Sequence, residues 1–213
     1  MKRRITIVFF ALIPLISFSQ NNYFFDEIGI WPNKCITNGD NSKGEFGFGV
    51  EVYKYLKKDA ALEIAFGVGY NMINQTKSRI EKSPTKYYSD LKYTLQSASF
   101  PMVIRINPEA KRMFFITGGA SANFLLTLTE AGTEHTLNSN TNKYETKEFS
   151  LTQNKYELGY GYFFGIGYTL DLQAIKVRIS PQYVIDKTTI TTRGEALFTD
   201  YFRLHIGIFM LQK

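Results

Sequence analysis

The sequence predicts an all-β protein, an eight-stranded antiparallel up-and-down transmembrane β-barrel with short turns at one rim and long loops at the other. Three observations carry this expectation. Segments of ten or more residues alternate large apolar side chains with small or polar ones, the two-residue period of a strand with unlike faces. Short and long connectors alternate strictly between those segments, as they do when every turn lies at one rim. The chain also opens on an export signal.

That opening reads MKRRITIVFFALIPLISFSQ. Lys2, Arg3 and Arg4 form a basic start, residues 5–16 an apolar run, and Ser17-Phe18-Ser19 a small-residue cleavage site. The run is too short and wrongly flanked for a spanning helix, so it is expected to be a secretory signal peptide. Residues 1–19 are then removed and residues 20–213 form one barrel domain. No Cys follows the cut directly, which argues against a lipid anchor. Loss of the three cations takes the formal charge from +6 to +3. The remaining Lys and Arg are scattered, so no nucleic-acid partner is expected. Cys35 is the only cysteine and can form no intramolecular disulfide.

The clearest strand is YELGYGYFFGIGYTL, residues 156–170. Its even positions are all large, and its odd ones are Glu157, Gly159, Gly161, Phe163, Gly165, Gly167 and Thr169. Residues 45–56 set Phe46, Phe48, Val50 and Val52 against Glu45, Gly47, Gly49, Glu51, Tyr53 and Tyr55. Residues 60–72 set Leu62, Ile64, Phe66, Val68, Tyr70 and Met72 against Glu63, Ala65, Gly67, Gly69 and Asn71. Residues 113–129 place Phe114, Ile116, Phe124, Leu126 and Leu128 on one face. Residues 174–186 oppose Ile175, Val177, Ile179, Tyr183 and Ile185 to Lys176, Arg178, Ser180, Gln182 and Asp186. In the last segment Phe202, Leu204, Ile206 and Ile208 oppose Arg203, His205 and Gly207. Residues 91–106 change phase near Ser97, which predicts a bulge or a strand rising out of the membrane. Residues 23–31 supply the first strand and bring the count to eight.

The connectors at 57–59, 107–112 and 171–173 are tight turns. Those at about 32–43, 74–90, 130–154 and 187–197 are long and polar. Both chain ends then lie on the short-turn side.

Two barrels share this strand order. A soluble carrier packs its large face into the lumen, whereas a membrane barrel turns it to lipid. An eight-stranded lumen is too narrow for this many Phe and Tyr, and glycine in a strand needs a reason. Crowding inside supplies one. The large face is therefore expected outside, in hydrocarbon, and the charges inside. Glu51, Glu63, Glu157, Arg105, Lys176, Arg178, Arg203 and His205 would then share the lumen. Opposite signs there are expected to pair and close it; a charged pore lining is the competing reading.

With these parts placed, GFGVEVYKYL, LQSASFPMVIRI with Pro101, FFITGGASANFLL and YGYFFGIGYTL carry a likeness over roughly residues 23–213. On them the chain resembles the PorT-like outer-membrane β-barrel family; Ser99 stands where that family often has an acidic residue. The resemblance implies an eight-stranded barrel in the bacterial outer membrane. Some members belong to secretion machinery.

Chemistry is sparse. His135 and His205 are the only histidines, and no His, Cys or Asp cluster has metal-ligand spacing. Neither a cofactor nor a metal is expected. A lipid A-modifying enzyme would need a nucleophile and a base, for which Ser121 or Ser180 with His205 are the candidates. Gly29-Ile30-Trp31 is similar to the Gly-x-Trp signature of lipocalins and represents the soluble-carrier alternative. The reading that results is a non-catalytic barrel with a structural, interaction or secretion-accessory role. Its expected contacts are outer-membrane lipid, lipopolysaccharide and a protein partner met through loops or turns. The barrel is expected to be a monomer.

Overall fold

Strand-forming alternation becomes ten strands in the computed structural model, which describes residues 25–37, 41–57, 60–108, 113–172, 175–188, 190–193, 195–197 and 199–210. They are β1 (Glu27–Cys35), β2 (Ser42–Lys57), β3 (Leu62–Ser83), β4 (Lys86–Ile106), β5 (Phe114–Asn138), β6 (Lys143–Leu172), β7 (Ile175–Asp186), β8 (Ile190–Thr192), β9 (Glu195–Leu197) and β10 (Tyr201–Met210). Eight of them close a barrel in the order β1-β10-β7-β6-β5-β4-β3-β2, with every pairing antiparallel, and β8–β9 form a separate hairpin. The expected eight-stranded wall is thus observed. The export signal and Tyr23 lie outside the described residues.

The first strand sits further along than expected, running through Pro32 to Cys35. Its ladder with β10 skips Trp31 and Pro32, where proline has no N–H to give. Pro101 is accommodated the same way. The β3–β4 register holds at Phe66–Met102 and Gly69–Ser99, and the step between them is unpaired.

The large face points outward. Phe46 is 70 % exposed, Ile166 66 % and Phe164 58 %, while Glu63 and Arg178 are buried. A soluble lipocalin-like packing, with the large face in the lumen, is therefore overturned. On β6 the outward row from Leu158 to Leu170 is unbroken in apolar and aromatic residues. At about 3.3 Å per residue and a tilt of about 40°, those twelve steps give a band about 30 Å tall, the thickness of a bilayer core. The inward glycines answer to crowding. A Cβ on Gly29 would run into the His205 ring, and one on Gly49 into the Trp31 indole.

Above this band the pattern inverts, which corrects two expectations. The long connectors at 74–90 and 130–154 are largely strand, since β3–β4 and β5–β6 pair nearly to their tips at 84–85 and 139–142. Their outer faces are polar, with Thr94 donating to Asn74 at 2.8 Å and Thr129 meeting Thr152 at 3.0 Å. Their inner faces bury Ile73, Leu91, Tyr93, Leu95, Leu125 and Leu128. Outside the bilayer a sheet hides its greasy side from water, so the preferred face changes sides.

Leu128 was expected to face lipid and instead points inward. The cause is the extra residue Leu126 on β5, where Gln96 pairs with Thr127 but Ser97 with Leu125. One added residue swaps the faces of everything above it. β4 itself keeps its phase, since Leu91, Leu95, Ser99, Val103 and Arg105 are all buried. The change seen near Ser97 in the sequence is therefore the strand leaving the membrane, and the bulge belongs to its neighbour.

Candidate functional site

Inward positions from six wall strands converge on two linked charge clusters. At the turn side, Arg105 from β4 grips Glu27 from β1 with both terminal nitrogens, at 2.9 and 3.2 Å. Arg178 from β7 donates to Glu63 of β3 at 2.9 Å and lies 3.6 Å from Glu27. The Tyr55 hydroxyl joins them, donating to Glu27 and accepting from Arg105 and, at 3.0 Å, from Arg178. Phe209 lies 4.2 Å from the Arg178 guanidinium, and Phe115 5.4 Å from that of Arg105, so aromatic faces cover the cations.

One layer toward the loop side, Arg203 from β10 pairs with Glu51 of β2 at 3.4 Å and donates to Gln182 at 2.7 Å. Tyr53 and Ser99 also donate to Glu51. Trp31 lies 4.6 Å from the Arg203 guanidinium. His205 stacks against Trp31 at 5.8 Å, meets Tyr53 edge-on, and sits 3.9 Å from Glu27.

Charge balance explains why this interior is tolerated. Among the described residues these clusters hold three carboxylates, Glu27, Glu51 and Glu63, against three guanidinium groups. A buried charge is costly alone but tolerable when paired and fully hydrogen-bonded. Arginine–carboxylate pairs thus cross the lumen at two levels.

Of the expected residues, Glu51, Glu63, Arg105, Arg178, Arg203 and His205 are brought together. Glu157 is not. It lies at the loop-side end of the band, half exposed, and pairs with Lys155 at 3.6 Å. Lys176 sits at the opposite rim, in register with Asp171 and outside the buried clusters. Glu27, Tyr53 and Tyr55 were missed as members. The signal was present in phase, because Glu27 shares its parity with Gly29 and Trp31, and both tyrosines alternate with lipid-facing residues.

The imagined serine–histidine pairing is not built. Ser180 is the register partner of His205, yet its hydroxyl donates to the Ile166 carbonyl oxygen at 2.8 Å. Ser121 lies on β5 in register with Pro101 and Gly161, away from β10.

The loop-side mouth has its own closure. The β8–β9 hairpin folds inward over it and buries Ile190 and Leu197. Asp186 anchors its base, accepting from Thr188, from Asn123 at 3.1 Å and on its carbonyl from Thr199 at 3.0 Å. At its tip Arg193 donates to Glu130 of β5 and lies over the rings of Tyr88 at 3.9 Å and Phe149 at 4.4 Å. Farther out, Lys86 holds the Glu134 carboxyl below its usual range across 2.8 Å.

No family model and no curated protein matches the chain. Among solved structures it is similar to neisserial surface protein A, at 12 % identity over 86 % of this chain and 95 % of that one, with a TM-score of 0.41. It is also similar to Ail, the attachment invasion locus protein of Yersinia pestis, at 13 % identity over 87 % and 95 % with a TM-score of 0.39. For the NanC porin the values are 8 % identity, 87 %, 100 % and 0.28.

Proposed function

We propose that this chain is an integral outer-membrane β-barrel of the PorT-like kind, exported with loss of residues 1–19, whose lumen is a structural plug and whose activity lies at its loop-side surface. The role is non-catalytic: structural, interaction or secretion-accessory. The observation that carries it is the Arg178–Glu63 and Arg105–Glu27 pairing, which fills the lumen with matched charges. With the lumen filled in this way, the four-stranded wall that rises above the lipid band is what remains to act. Lipopolysaccharide suits the lipid-facing rim, and a protein partner suits the rising wall. The barrel is read as a monomer, a reading supported by the Thr and Asn side chains on the outer face of the hairpins, where Thr94 donates to Asn74 and Thr129 meets Thr152.

Fractionation combined with gel mobility before and after boiling tests the membrane reading. The expected result is recovery with the outer membrane and a heat-modifiable band. Planar-bilayer recording of the same sample is expected to be silent. Recovery in the aqueous fraction, or steady ion conductance, overturns the proposal.

A further inference from the structure

The closed wall has one long open flank. β6 pairs with β5 from Asn138–Lys143 at the tip down to Phe114–Tyr168, but with β7 only from Gly161–Asp186 downward. The reason lies in β7, which stops at Asp186 while its chain turns inward to make the β8–β9 lid. Among the described residues no strand fills the column above β7. Along residues 143–158 every second residue of β6 therefore turns its N–H and C=O toward that column, and such groups seek a strand. We propose that this edge is a strand-addition site for an extended peptide segment of a partner protein, running antiparallel to β6 and away from the membrane.

The inference rests on the surface-interaction reading above and names its partner's chemistry. On the inner face of the edge lie Lys147, Phe149 and Leu151 in alternation. Phe149 packs edge-on against Tyr88, whereas Leu151 is 46 % exposed although it points into the concave side. A strand in the empty column would cover Leu151 with its own side chain. Lys147 is in register with Glu134, whose carboxylate is engaged by Lys86 at 2.8 Å. The fitting segment thus alternates polar and apolar residues, with an apolar pair opposite Phe149 and Leu151 and an acid opposite Lys147. Charges along the edge reject a uniformly apolar strand, which makes it selective.

A second copy of the chain does not meet this geometry. Two barrels in one bilayer present β6 running in the same direction, so their edges would meet parallel rather than antiparallel.

The test uses the full barrel refolded in detergent micelles and a synthetic ten-residue peptide alternating valine with threonine and carrying one glutamate. Amide hydrogen exchange is read by NMR with and without peptide. The expected result is at least tenfold slower exchange at alternate residues within 144–158, and at least tenfold weaker binding of a peptide N-methylated at alternate amides. Leu151→Lys should weaken binding tenfold while keeping the heat-modifiable band. Equal binding of the N-methylated peptide, protection elsewhere, or no protection overturns the proposal. Mobility and conductance of the same sample test the barrel reading separately, so the two can fail independently.

Discussion

Arg178 donates to Glu63 across the full width of the lumen: β7 and β3 stand four strands apart in a ring of eight. A bridge between opposite walls cannot form until the barrel has closed, and once formed it braces the ring against ovalisation. Glu27 extends the brace, because its carboxylate lies 2.9 Å from Arg105 and 3.6 Å from Arg178.

Glu63→Ala should therefore do more than remove a contact. It leaves the buried Arg178 with Glu27 at 3.6 Å as its remaining carboxylate, a loss of about 3–5 kcal/mol for breaking a buried pair. Glu63→Leu combined with Arg178→Met should recover most of that loss, since apolar replacement of a whole buried pair is often neutral. Denaturant unfolding of the barrel in lipid vesicles measures both. Equal stability of the single and double variants would refute the brace.

Glycines give a contrast between the two faces of the wall, Gly49 and Gly29 pointing into the lumen and Gly118 lying on the lipid-facing row with Ile116. Gly49→Ala puts a methyl into the Trp31 indole, and Gly29→Ala puts one into His205. Overpacking of this kind costs about 1–3 kcal/mol. Gly118→Ala meets only a carbonyl oxygen at 3.4 Å and should fold like the parent. The yield of heat-modifiable band after refolding ranks the three.

What the sequence reveals here follows where a single rule applies. Inside the lipid band, period two and one buried face give each residue's side, so Glu51, Glu63, Arg105, Arg178 and Arg203 were readable as lumen residues. Glu27 was harder, because its strand has only nine residues and contains Pro32. Above the band the solvent changes from hydrocarbon to water, and hydrophobicity no longer says which way a side chain points. Leu91 and Phe100 are both large and apolar, yet on one strand the first is buried and the second faces lipid. Polar composition also made paired hairpins look like loops, since their outer faces are Thr and Asn. The pairing of Glu130 with Arg193 had no local signature.

Leu126 is the switch residue of that inversion. Deleting it should remove the bulge and leave one continuous register on β5, with Leu125 opposite Ser97 and Thr127 opposite Gln96 as before and with Leu128 and Glu130 still inward. The lipid band lies below the deletion, so the barrel should still form and show its mobility shift. Arg193 would keep its carboxylate partner. Cleavage within residues 187–200 by a soluble protease should therefore stay as slow as for the parent. A marked rise would mean that the upper part of β5 has slipped against β4 and turned Glu130 outward.

Arg193→Ala isolates the tip of the lid. The substitution removes the Glu130 pair and two ring contacts together, at Tyr88 and Phe149. Partly desolvated cation–π contacts reach about 2 kcal/mol, and the carboxylate left behind adds to the loss. Because β8 and β9 are three residues each and pair as strands only with one another, little else resists opening. Ile190, Leu197 and the Thr192 hydroxyl, which donates to Glu130 at 3.3 Å, would then hold the lid. Amide exchange at Ile190 and Thr192 should accelerate at least tenfold, while Arg105 and Arg178 amides in the wall stay protected. Arg193→Lys separates the causes: a point charge retains the pairing to Glu130 but loses the planar stack. It should fall between the parent and Arg193→Ala. If both variants leave Ile190 as protected as the parent, the lid is held by its base at Asp186 and Thr199 rather than by its tip.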